Sequence, residues 1–153
     1  MTEKQKMLMG ILYNAEDQAL IEERNHAKSL TRQFNEHWED KGRRNYLIGQ
    51  IFGSLGKNVH LEAPIYLDYG YRTTIGSDFF SNFNLTILDG GGVEIGNHVF
   101  IGPNVRIYTA NHPADVKRRE KGYEWALPVK IGDKYGLAEG LRFFLELRSA
   151  TIV

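Results

Sequence analysis

The chain has 153 residues, enough for one domain with a core of its own. Its 19 basic residues balance 19 acidic ones, which removes the electrostatic case for a nucleic-acid or membrane surface. No cysteine is present, so disulfides and thiolate chemistry are excluded.

Met1 to Gly10 is charged and lacks the apolar stretch of a signal peptide. No apolar run approaches the roughly 20 residues of a membrane span. The expectation is a soluble cytoplasmic protein. The first third reads as helix. Leu20, Ala27, Leu30, Phe34 and Trp38 keep one face apolar, while Glu22, Glu23, Arg24 and Lys28 occupy the other. Asn14 is the expected N-cap, with Glu16 and Asp17 in the first turn, where carboxylates suit the helix dipole. A break near Lys41-Gly42 precedes a second short helix with the stripe Leu47, Ile48, Ile51, Phe52 and Leu55. Nothing in this third looks catalytic by itself.

After Gly56 the helical period disappears. Ile75-Gly76-Ser77-Asp78 opens a stretch in which Ser81, Ile87 and Val93 follow at intervals of six. A two-residue shift then starts a stricter run, Ile95-Gly96-Asn97-His98-Val99-Phe100, then Ile101-Gly102-Pro103-Asn104-Val105-Arg106, then Ile107. Each hexad can form one short flat side of a triangular coil, its aliphatic residue pointing into the prism and its glycine or asparagine turning the corner. An antiparallel sheet with turns such as Gly96-Asn97 is the competing arrangement. The two consecutive hexads, with Ile75-Gly76 and Ile131-Gly132 elsewhere, favour the prism. The expected fold class is therefore mainly β, a left-handed parallel β-helix preceded by a short N-terminal helical segment.

Several stretches occur in a characteristic order: Asp68-Tyr69-Gly70, Phe80-Ser81-Asn82-Phe83-Asn84, Leu88-Asp89, Ile107-Tyr108-Thr109-Ala110-Asn111-His112-Pro113, and Pro128-Val129-Lys130-Ile131-Gly132-Asp133. Together they resemble the maltose/galactoside acetyltransferases, a family of hexapeptide-repeat sugar O-acetyltransferases, from near residue 3 to Asp133. The resemblance implies an N-terminal helical segment over 1–55 and a β-helix over 56–133 with an excursion loop at 111–128. It leaves 134–153 as a tail outside the family pattern. It further implies acetyl transfer from acetyl-CoA, a co-substrate rather than a bound cofactor, to a sugar hydroxyl. A homotrimer with each active site in a groove between neighbouring prisms is also implied.

A sugar hydroxyl needs a base to remove its proton as it attacks the thioester, and imidazole suits that task. His112 stands where the family's catalytic histidine lies, and Pro113 holds its backbone away from helix geometry. The competing reading is a loop histidine capping a turn. The resemblance gives Asn82 and Asp68 as sugar-binding residues, against corner and turn roles. It also leaves Asp89 as a weaker candidate, since Gly90-Gly91-Gly92 makes a turn role attractive. Phe80 stands where some relatives carry tyrosine, so one acceptor hydrogen bond is absent. Glu124 and Trp125, at the far end of the loop, are within reach of a neighbouring subunit's groove or simply pack. His60, His98 and His112 are scattered and residue 117 is lysine, so no metal site is expected.

The family continues after Ile-Gly-Asp with Asn-Val-Trp-Ile-Gly-Gly and further hexads, whereas this chain reads Lys134-Tyr135-Gly136-Leu137 and onward without that pattern. Permitted codons from Lys134 contain, one base out of frame, Val-Trp-Ile-Gly-Gly-Arg-Ala-Ala-Val-Phe-Leu-Gly-Val-Thr-Ile-Gly-Asp-Asn-Ser. That is the family's continuation, as if one base had been lost at the codon after Asp133. The family's CoA site lies mostly beyond that point. A truncated, non-catalytic remnant with weak acetyl-CoA binding is therefore the alternative to an active enzyme. Leu141 to Leu147 are expected to cover the open end of the prism.

Overall fold

The computed structural model describes residues 1–137 together with the backbone of Arg142–Phe143. The expected cover over Leu141 to Leu147 lies outside the described residues, apart from that backbone pair.

Helix α1 (Glu3–Leu8) opens with a capping box between Thr2 and Gln5. Strand β1 (Tyr13–Asn14) follows, and then the long helix α2 (Gln18–Glu36). The cap of α2 is Asp17, whose carboxylate accepts from Ala19 N at 3.2 Å. Asn14 is instead a strand residue whose Oδ1 accepts from Glu16 N at 2.9 Å. Asp17 wins because its carboxylate directly meets an orphan amide at the positive end of the helix. Leu20, Ala27 and Phe34 are buried as the helical period requires, but Trp38 lies past the helix end and is 59 % exposed. Helix α3 (Lys41–Ile51), capped by Asp40, buries Leu47, Ile48 and Ile51. It begins where the break was expected.

The remainder winds through three parallel sheets in strict rotation. Side one takes β2 (Ser54–Leu55), β5 (Thr73–Ile75), β8 (Val93–Ile95) and β13 (Val129–Ile131). Side two takes β3 (Val59–Leu61), β6 (Phe79–Ser81), β9 (Phe100–Ile101) and β14 (Gly136–Leu137). Side three takes β4 (Ile65–Leu67), β7 (Leu85–Leu88), β10 (Arg106–Tyr108) and β15 (Arg142–Phe143). The competing antiparallel sheet is thereby replaced by a parallel, three-sided coil. Residues one coil apart, such as Val59 with Phe79 and Thr73 with Val93, lie side by side. A coil thus holds three hexads plus two residues, which explains the shift in period before Ile95. The extra pair sits at the corner leading from side three to side one, at Tyr71-Arg72 and Gly91-Gly92.

Aliphatic residues at the hexad positions fill the interior, with Ile75, Ile87, Ile95, Ile101 and Ile107 all buried. Phe34, Leu47, Ile48 and Ile51 close one end of that core. The coil does not stop at Asp133. Gly136–Leu137 pairs with Phe100–Ile101, the Leu137 side chain is buried, and Arg142–Phe143 pairs with Arg106–Ile107. Ile131, Leu137 and Phe143 keep the interval of six through the anomalous tail.

One excursion leaves the coil after β10. It forms β11 (Ala110–Asn111), the short helix α4 (Val116–Glu120) and β12 (Tyr123–Ala126). β12 lies between β11 and β1, antiparallel to both, so the N-terminal segment is stitched to the excursion. Met7, Tyr13, Ala15, Leu20, Tyr69 and Ala126 form a second buried cluster beneath this small sheet. Where the excursion rejoins the coil, a Cβ on Gly91 would stand 2.5 Å from the Leu127 carbonyl oxygen, so only glycine fits. No described helix is long and apolar enough to cross a membrane.

Candidate active site

His112 follows β11 directly, at the point where the chain leaves the coil. Its side chain is 61 % exposed, and Nδ1 lies 3.9 Å from Glu124 Oε2. The backbone beneath it is anchored. Pro113 is buried, and Arg119 Nη1 donates to the Pro113 carbonyl at 3.1 Å. Thr109, also buried, donates from Oγ1 to Leu88 O at 2.6 Å and accepts from Gly91 N at 2.8 Å. The imidazole is therefore exposed at its tip but rooted in a hydrogen-bonded corner.

Glu124 packs within its own chain, one of the two alternatives that its place in the loop left open. It turns back onto its own chain, where Oε1 accepts a hydrogen bond from the Tyr13 hydroxyl. Tyr13 is fully buried, and burial, followed by the Glu124 charge, holds its phenol above the ordinary tyrosine range. Nearby, Arg24 of α2 donates to Tyr69 Oη at 2.9 Å and to Ala15 O at 2.7 Å. Tyr69 is pushed up to about 12, mainly by burial. The first third of the chain thus contributes Tyr13 and Arg24 to the region around His112. No local pattern in the sequence marks either.

Asp68 directly follows β4 at the exit edge of side three. Burial, then the charges of Asp89 and Glu124, push its carboxyl up to about 6, against the opposing pull of Arg24 and Lys28. It lines a cavity of about 420 Å³ between side three and α2, with Lys28, Arg32, Asn35 and Tyr66 among its walls.

Asp89 sits in an enclosed corner. Its side chain is fully buried, and its two oxygens accept from Tyr69 N at 2.8 Å and Thr73 Oγ1 at 2.9 Å. Burial raises its pKa while those donors lower it. A carboxylate so enclosed fastens neighbouring coils together, in keeping with the turn role that was weighed against sugar binding.

Asn82 stands elsewhere. It occupies the corner before β7, with Oδ1 accepting from Phe83 N at 2.8 Å and its own N–H donating to Ile101 O at 2.8 Å. Because β4 and β7 run parallel and side by side, Asn82 marks the entry edge of side three and Asp68 the exit edge. A single chain therefore brings Asp68 near the His112 region but leaves Asn82 at the opposite edge. Trp125 pairs with Asn111 across the excursion. Phe80 faces outward on side two, stacked on His60 at 5.5 Å and tilted against Phe100 at 6.4 Å. His98 sits at a corner 3.7 Å from Asp78, and His60 meets Glu62 at 2.7 Å. Among the described residues no three His, Asp or Glu side chains converge on a common point that would hold a metal ion.

Residues 6–56 match the maltose acetyltransferase hexapeptide capping motif. Among solved structures, the chain superposes on a maltose O-acetyltransferase from Clostridium difficile 630 with a TM-score of 0.90 and 45 % identity, over 93 % of this chain and 76 % of that one. The chain belongs to the maltose and galactoside O-acetyltransferase family. A galactoside acetyltransferase in complex with coenzyme A aligns with a TM-score of 0.79 and 33 % identity, over 93 % of this chain and 74 % of that one. Nodulation protein L of Rhizobium meliloti is 35 % identical over 91 % of this chain and 76 % of its own length. The family's capping motif coincides with the segment that supplies Tyr13, Arg24 and the closing residues Leu47 and Ile48. In this O-acetyltransferase the cap is thus both the end plug of the coil and one wall of the region around His112.

Proposed function

We propose that the chain transfers an acetyl group from acetyl-CoA to a sugar hydroxyl, of the maltose, glucose or galactoside type, in the cytoplasm. His112 takes the hydroxyl proton as the sugar oxygen attacks the thioester carbon, then returns it to the departing CoA sulfur. Asp68 accepts from acceptor hydroxyls and fixes the sugar's orientation. The coil is read as left-handed, with the helical segment over 1–55, the β-helix from 56 and the excursion at 111–128 as its parts.

The observation that carries this reading is the imidazole of His112, exposed at the mouth of a hydrogen-bonded corner. Glu124 links it to Asp68, lying 3.9 Å from the ring and within electrostatic reach of that carboxyl. The separation of Asn82 from Asp68 across side three supports a site shared between copies, in which one chain's Asn82 meets another's His112. Three prisms about a three-fold axis give that arrangement in a closed form. The outward aromatic row of His60, Phe80 and Phe100 beside Asn82 supports the same association.

A thiol-release assay with acetyl-CoA and maltose, glucose or a galactoside tests the assignment, and the cysteine-free chain adds no background. His112→Ala is expected to lower kcat by at least about 10²-fold with the fold intact. Undiminished turnover would reject His112 as base. The second reading, a remnant that folds without catalysis, is favoured by the loss of the family sequence after Asp133. Absence of turnover in the wild type, with no micromolar acetyl-CoA binding by calorimetry, would select it.

A further inference from the structure

Once His112 is taken as the base, its ring still has to be aimed. A freely rotating imidazole on an exposed tip samples several rotamers and both neutral tautomers, and only some of these present a bare nitrogen to an incoming hydroxyl. The sheet of β1, β12 and β11 offers a constraint. Tyr13 stands opposite Glu124, and Asn111 stands opposite Trp125. Just past the end of the second ladder, His112 Nδ1 lies 3.9 Å from Glu124 Oε2. Three residues from distant parts of the chain are thereby placed in a row across one small sheet.

We propose that Glu124, held in place by Tyr13, is the positioning residue for His112. Tyr13 Oη donates to Oε1, Oε2 faces Nδ1, and the ring keeps its proton on Nδ1 with Nε2 bare toward the acceptor. The inference rests on the reading of His112 as base. Each half of the carboxylate has a separate task, since Oε1 is taken by the phenol and Oε2 stands 3.9 Å from the imidazole. The Glu124 side chain is only 15 % exposed, so a donor for its second oxygen matters more than it would in water. Burial and the adjacent carboxylate keep Tyr13 protonated, so the phenol remains a donor at any working pH. A separation of 3.9 Å is longer than a hydrogen bond, but such contacts tighten when substrate closes the site.

The consequence for the reaction follows directly. When Nε2 takes the sugar proton, the ring becomes a cation with Nδ1–H facing a carboxylate already fixed in position. That attraction steadies the charge until Nε2 gives the proton to the leaving sulfur. The N-terminal cap, through Tyr13, therefore acts on the chemistry as well as closing the coil.

The test is the tautomer of His112 in the full chain, read from imidazole ¹⁵N shifts, with the signal assigned by its loss in His112→Asn. In the wild type, Nδ1 is expected to carry the proton. In Glu124→Gln the single amide oxygen is engaged by Tyr13, so the amide NH₂ faces the ring and the proton is expected to move to Nε2. Tyr13→Phe, which removes only a hydroxyl, is expected to lower the Nδ1–H population part-way and serves if the glutamine variant fails to fold. Under thiol release, Glu124→Gln is expected to lower kcat about 10²-fold with KM for acetyl-CoA unchanged. A wild-type ring protonated on Nε2, or a tautomer unmoved by both variants, overturns the proposal. Full activity in His112→Ala overturns instead the base assignment beneath it.

Discussion

Asp68, proposed above to hold the acceptor sugar, burdens the fold that carries it. Its native carboxyl titrates at about 6, against an ordinary value of 3.8. Between those values the native chain holds a proton that the unfolded chain has released, so stability falls as pH rises through that window. Above pH 6 the penalty is fully present. Asp68→Asn keeps the shape without the charge, and we expect it to stabilise the chain at pH 7.5 by roughly 1–3 kcal/mol. The gain should vanish near pH 4, and urea unfolding midpoints at the two pH values check this. A gain that does not depend on pH would show that the carboxylate is not held in its costly state. The same variant should weaken acceptor binding, the usual exchange between stability and function at a polar site. At this scale the sequence is a partial guide. His112 and Asp68 stand out in the sequence as candidates because they lie within contiguous motifs. The burial of Asp89 is not legible, because Leu88-Asp89-Gly90 does not reveal whether its carboxylate points into the corner or out of it. Glu124 also escapes a linear reading, since its partner Tyr13 lies 111 residues away.

Among the elements, the coil is the legible part because its chemistry repeats. Most corners ask one residue to adopt a left-handed backbone, and among residues with a side chain asparagine, aspartate and histidine do so with least penalty. Asn58, Asp78, Asn84, His98 and Asn104 occupy such corners with φ between 55° and 63°. Side chains stack there, Asn58 Nδ2 on Asp78 at 2.8 Å and Asn84 Nδ2 on Asn104 at 3.0 Å. Lys134 holds the same geometry at φ 61°, in line with Asn58, Asp78 and His98, yet a lysine gains nothing from it. Lys134 is where the chain leaves the family's Ile-Gly-Asp-Asn pattern, in which the residue at this position is asparagine. Lys134→Asn is expected to stabilise the chain by about 0.5–1 kcal/mol, raising Tm by a few degrees. An unchanged melting temperature would mean that the corner carries no such strain. The excursion is the illegible part. β1 has two residues and α4 five, too short for any period to register. Their sheet exists only because β12 pairs on both edges. The misplaced cap of α2 has the same origin, since Asn14 is drawn into that sheet and Asp17 is left to begin the helix.

For the whole molecule, the decisive surface is side two. A sheet of one chain has two faces, and here the inner one is filled by the coil's aliphatic core while the outer one carries His60, Phe80 and Phe100 in register. Phe100 is 59 % exposed and Phe83, just beyond the adjoining corner, is 50 % exposed. Four rings grouped on one edge are costly in water and inexpensive against another apolar face. Asn82 stands beside them, so a neighbour that covers the aromatic row also brings its own excursion within reach of that asparagine. Association and catalysis would then depend on the same contact. Phe100→Asp places a charge in the row without touching the core and is expected to convert a three-chain assembly to single chains in sedimentation velocity, with circular dichroism unchanged. Thiol release should fall in parallel with the loss of assembly, although His112, Glu124 and Asp68 are all intact in each chain. A Phe100→Asp protein that sediments as single chains yet keeps full turnover would place the complete site within one subunit, and the shared groove would have to be abandoned.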